Sequence, residues 1–95
     1  MSTSQTLERI AMEADKEARS LRRLSSQLRR LGSQVSDAIA DTATGDDRTL
    51  LGHLRSVERD VDRAADDLFT GAREARAAAA EERRREVAAR SERTR

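Results

Sequence analysis

Residues 7–38 read LERIAMEADKEARSLRRLSSQLRRLGSQVSDA. Steps of seven from Leu7 land on Ala14, Leu21, Leu28 and Val35, and steps of seven from Ile10 land on Glu17, Leu24, Leu31 and Ala38. All of these except Glu17 are apolar. Spacings of three and four sustained over more than four heptads keep one stripe on one side of an α-helix, so a long amphipathic helix is predicted over residues 5–41. Glu17 interrupts the register and is expected either to fix it or to mark a place open to water. Gly32 is the single interior breaker, at a cost of about 1 kcal/mol against Ala. It lies on the flank of the stripe with Ser25 and Ala18, where small side chains permit a close neighbour. Ser2-x-x-Gln5 offers a capping box, while residues 1–4 as a whole are expected to be disordered.

The pattern breaks at Asp41-Thr-Ala-Thr-Gly45-Asp-Asp47, which places an elbow over residues 42–46 with Gly45 within it. Thr44-x-x-Asp47 fits a helix N-terminal cap, and Asp46 and Asp47 put negative charge at the positive end of the next helix dipole. Periodicity resumes with Leu54, Val61, Leu68 and Ala75 in one register and Leu50, Val57, Ala64, Gly71 and Ala78 in the other. A second helix is expected over 47–80, with Gly71 as the place for a kink. A connection this short makes the helices antiparallel neighbours, so the fold class is all-α, a coiled-coil-like two-helix hairpin. In residues 81–95 Val87 is the only large apolar side chain. That tail is expected to be a solvated, fraying helical extension, held locally by Glu81 with Arg85 and Glu86 with Arg90.

Two helices share one seam and cannot bury both full stripes in each other, so association into a four-helix bundle is expected. The partner would be a second copy or a different helical chain. The candidate partner seam is Leu7, Ile10, Leu21, Leu24, Leu28, Leu31, Val35, Leu50, Leu54, Val57, Val61, Leu68 and Phe69. Phe69 would complete the core or anchor a partner.

The charges, 19 basic against 18 acidic, balance to +1 but are partitioned along the chain. Arg19, Arg22, Arg23, Arg29 and Arg30 fall in a stretch of α-helical pattern without an acidic residue, on the side away from the apolar stripe. If the chain folds back near Gly45, Arg22, Arg23, Arg29 and Arg30 come level with Asp67, Asp66, Asp60 and Arg59. One reading is charge matching within the hairpin or between subunits. The other is a docking stripe for an acidic partner or phosphate backbone, with Ser25, Ser26 and Ser33 as small donors. The small net charge and the absence of an aromatic residue in the stripe argue against nucleic acid.

No catalytic, cofactor or metal site is expected. The chain has no Cys and one His, His53, which has no Ser or Asp partner at a useful spacing and is expected to pack partly buried. A seam of Leu and Ala offers no cleft for a base or nucleophile. The longest apolar run, Ala77 to Ala80, is far short of the roughly 20 residues that span a bilayer. The first residues lack the basic start and apolar segment of a secretory signal. A cytoplasmic location, or secretion independent of a signal peptide, is therefore expected.

The layout resembles the small helical-hairpin proteins of type VII secretion, chains of about 100 residues with a Trp-x-Gly elbow. The resemblance covers the whole chain in architecture. Ala43-Thr44-Gly45 stands at the elbow, so Gly45 matches and Ala43 occupies the Trp position. The family's C-terminal Tyr-x-x-x-Asp/Glu motif has no counterpart, since the chain has no Tyr. The resemblance implies a secreted dimer, or a helical adaptor that pairs with a larger export substrate.

Overall fold

A computed structural model describes residues 2–41 and 44–93. It contains two helices, α1 (Thr3–Ile39) and α2 (Gly45–Arg93), packed against each other as an all-α hairpin. Both helices start on reciprocal caps. The Gln5 N–H donates to Ser2 Oγ at 3.2 Å while the Ser2 N–H donates to Gln5 Oε1 at 3.1 Å. Likewise the Asp47 N–H donates to Thr44 Oγ1 at 3.2 Å and the Thr44 N–H to Asp47 Oδ2 at 3.1 Å. Each pair satisfies two N–H groups that the start of a helix would leave without partners.

Several boundaries differ from the sequence expectation. α1 begins at Thr3, so residues 3 and 4 are helical and not disordered, and it ends at Ile39, not Asp41. Gly45 is the first residue of α2, preceded by the Thr44 cap, and no glycine among the described residues has a positive φ. Of the expected elbow, Thr42 and Ala43 lie outside the described residues. α2 passes through Gly71 without interruption and continues through the charged segment to Arg93.

The chain divides into two compact units, Met1–Glu17 with Asp67–Arg95, and Ala18–Asp66. In the first, Ser4 and Ala11 of α1 are buried with Ala72 and Ala79 of α2; in the second, Ala18 and Ser25 are buried with Ala65. Each set steps by seven, and its members expose at most 4% of their surface. The large apolar side chains stand beside this line. Leu7, Leu21, Leu28, Val35, Leu54, Val61, Leu68 and Phe69 are half-buried, and Ile10, Leu24, Leu31, Leu50 and Val57 are exposed. The interhelical seam is therefore one heptad line away from the expected Leu-centred one. Small side chains allow the backbones to approach, and Leu is displaced from the line of closest contact to its flank.

The same economy explains the tail, which the sequence reading expected to fray for want of a core. A seam of Ser and Ala needs no Leu to continue. Ser4 Oγ donates to Glu86 Oε2 at 2.9 Å, and Arg83 pairs with Glu8. Glu81 does pair with Arg85, at 3.7 Å, but Glu86 is taken by Ser4 and not by Arg90. The hydrogen bond from Arg84, at 2.6 Å, is the main cause holding the Glu81 carboxyl below its ordinary value.

Candidate interaction face

Each residue of an α-helix turns 100°, so side chains three before or four after a seam residue share one flank, and those three after or four before share the other. In Ala18–Asp66 the first flank carries Arg22 and Arg29 around Ser25, and Asp62 ahead of Ala65. Arg22 pairs with Asp62 at 3.1 Å and with Asp66, and Arg29 donates to Glu58 at 2.8 Å with Asp62 at 3.7 Å. These side chains bridge the two helices, as the reading of charge matching within the hairpin expects, but with Arg22 meeting Asp62 and Asp66 in place of Asp67, and Arg29 meeting Glu58 and Asp62 in place of Asp60. The shift of the seam explains the difference, because Ser25, not Leu24, faces α2. The Met1–Glu17 and Asp67–Arg95 unit repeats the arrangement, with Asp15 paired to Arg76.

Asp62 is the hub of the ion-pair flank. The buried Ser25 hydroxyl beside it is the main cause that lowers its pKa, with Arg22 and Arg29 adding to the effect and partial desolvation opposing it. Ser25 Oγ has no partner at full hydrogen-bond geometry among the described residues.

The opposite flank is apolar. In Ala18–Asp66, Leu21, Leu28, Val35, Leu54 and Val61 lie next to the seam, half-buried. One step further out stand Leu24, Leu31, Leu50 and Val57, exposing 41%, 45%, 52% and 47% of their surface. Antiparallel helices are related by a two-fold that preserves hand, so equivalent flanks of both helices open on the same side. The cross-helix ion pairs on the first flank establish that side, and the Leu and Val flanks together form the other face. Glu17, expected either to fix the register or to mark a place open to water, is exposed, in keeping with the second.

Of the five candidate Arg residues, Arg22 and Arg29 belong to the ion-pair flank. Arg23 Nη2 donates to Ser20 Oγ at 3.1 Å, while Arg19 and Arg30 make no ion pair among the described residues. Arg22, Arg23, Ser26, Gln27 and Arg30 line a shallow hollow on the outer edge of α1. Ser25, offered as a donor to a ligand, is buried instead. His53 is exposed, not partly buried. No three His, Cys, Asp or Glu side chains converge among the described residues, and no helix there is long and apolar enough to cross a membrane.

The division into an ion-paired face and an apolar face was missed in the sequence, although a signal was present. Ser4, Ala11, Ala18, Ser25 and Gly32 repeat at seven, as do Ala65, Ala72 and Ala79, two runs of small side chains bounded by Ile39 on α1 and by Glu58 and Glu86 on α2. Comparison with known protein families, curated proteins and solved structures gives no match to this chain.

Proposed function

We propose that the protein is a non-enzymatic helical interaction module that associates with another helical chain through the apolar face of Ala18–Asp66. One observation carries this reading. Leu24, Leu31, Leu50 and Val57 stand exposed on the same side of a hairpin whose own seam is already filled by Ala and Ser. Contiguous apolar side chains left in water favour burial against a partner by about 25 cal/mol per Å² covered. The sequence's partner seam thus acts as two surfaces: a small-residue line closes the hairpin, and the Leu and Val flank is offered outward. The hairpin architecture supports a role as an accessory or substrate-like partner of type VII secretion, acting in the cytoplasm or after export from it.

A second reading, a small nucleic-acid-associated or regulatory protein, is favoured by the outer edge of α1, where Arg19 and Arg30 have no carboxylate partner among the described residues. One experiment separates the two. Immobilised chain is exposed to an extract of its host, alongside a Leu24→Gln/Leu31→Gln chain and an Arg19→Gln/Arg23→Gln/Arg30→Gln chain, with helicity checked by circular dichroism. Retained proteins that disappear only with the Leu substitutions are expected. Loss with the Arg substitutions alone would transfer the function to the basic edge.

A further inference from the structure

We infer that the occupant of the apolar face of Ala18–Asp66 is a second copy of this chain, with the two-fold axis parallel to the helices and both elbows at the same end. The inference rests on the reading of that face as an interaction surface, and adds the partner and its geometry. Its first support is register. The cross-helix ion pairs set which residues stand level, and the outermost apolar lines then read Leu24 with Ala64, Leu31 with Val57, and Ala38 with Leu50. A two-fold parallel to the helices lays α1 of one copy against α2 of the other at the same level. Leu24 then meets Ala64, Leu50 meets Ala38, and Leu31 packs with Val57 between them, so the two ridges meet in matched register with one pair of large side chains opposed at the centre.

The competing arrangement, with elbows at opposite ends, sets α1 on α1 and α2 on α2 about a perpendicular two-fold. That axis would have to pass through the middle of both ridges at once. The α1 ridge is centred between Leu24 and Leu31, whereas the α2 ridge, Leu50 to Val57, is centred about seven residues nearer the elbow by the same level matching. At 1.5 Å per residue the two centres are about 10 Å apart along the helices, so such an axis can serve only one of them.

Charge supplies the second support. Arg30 is on the outer edge of α1 and Asp60 is level with it on the outer edge of α2. Both are exposed, and neither makes an ion pair among the described residues. Within one hairpin these edges face apart. In the parallel two-fold dimer the α1 edge of each copy adjoins the α2 edge of the other, giving two Arg30–Asp60 contacts. The perpendicular two-fold would set the basic α1 edge, with Arg23 and Arg30, along its own copy and the acidic α2 edge, with Asp60, along its own copy, and like charges across an interface disfavour it. In the Met1–Glu17 and Asp67–Arg95 unit the same level matching sets Lys16 against Glu74, again basic on α1 and acidic on α2.

The chain has no Cys, so single introduced cysteines report on geometry without background. Purified chain is expected to sediment as a dimer at about 100 μM, and Leu31→Cys chain mixed with Val57→Cys chain to form the mixed disulfide in preference to either self-linked species. Arg30→Glu and Asp60→Arg each weaken self-association about tenfold, and the double substitution restores it. These two positions are exposed on helices, so circular dichroism shows that the variants remain folded. A monomer at 100 μM overturns the inference while leaving the proposed function intact if host partners are still lost with the Leu substitutions. Preferential Leu31→Cys self-linking, or no rescue by the charge exchange, overturns the geometry. Loss of neither dimer nor host partners on Leu24→Gln/Leu31→Gln overturns the face itself, and with it the proposed function.

Discussion

Asp62 shows how one side chain gathers the polar half of the hairpin. It meets Arg22 at 3.1 Å and Arg29 at 3.7 Å and lies beside the buried Ser25 hydroxyl. These contacts favour its charged form, so its folded-state pKa lies below its unfolded value. A carboxylate of this kind contributes stability above its unfolded pKa, and the contribution is lost as pH falls through the folded value. Asp62→Asn removes it at every pH. The Tm of the substituted chain is therefore expected to lie below that of the natural one, by a constant gap between about pH 5 and 8. Below about pH 4 the gap closes as Asp62 itself is protonated. Thermal unfolding of both chains across this range checks the effect, and a gap that widens in acid would mean that the ion pairs do not hold the flank.

At the scale of the element, what joins α1 to α2 is the absence of side-chain bulk. Ala65 exposes none of its surface, and Ser25 stands level with it on the facing helix. A Leu at residue 65 must push the helices apart or leave its rotamer, and overpacking of this kind costs typically about 1 to 3 kcal/mol. Gly32, whose added Cβ would sit 3.9 Å from Leu51 Cδ1, has room for one methyl group. Chemical denaturation is expected to separate Ala65→Leu, strongly destabilised, from Gly32→Ala, which loses helix-breaking entropy and gains about 0.5 to 1 kcal/mol. The contrast also marks what the sequence could disclose. The two helices and both caps were legible because periodicity and Thr44-x-x-Asp47 or Ser2-x-x-Gln5 are local signals. The seam was misplaced by one line because apolar stripes weight Leu over Ala. Burial between two helices is decided by backbone distance, which no single residue announces. The cross-helix Arg22–Asp62 pair was hidden for the same reason, since its geometry follows from where the seam lies.

For the molecule as a whole, the two faces give association and charge different dependences on the medium. If the Leu24, Leu31, Leu50 and Val57 face is covered by another copy, unfolding is coupled to dissociation, and Tm rises with chain concentration. The force behind that association is apolar burial, which salt does not screen, with Arg30 and Asp60 at an exposed rim contributing little. A tenfold increase in salt is therefore expected to change the dimer dissociation constant by less than about tenfold. Binding of a phosphate backbone by Arg19, Arg23 and Arg30 would behave otherwise. Three neutralised phosphates imply a salt slope near −2.7 on logarithmic axes, or about 500-fold over the same tenfold change. Sedimentation equilibrium at about 0.1 and 1 M salt, with the concentration dependence of Tm measured in both, distinguishes the two. Concentration dependence retained at high salt places the driving force on the apolar face. Concentration dependence abolished by salt would place it on the charged edges, and the Leu and Val flank would then be an exposed surface without a partner.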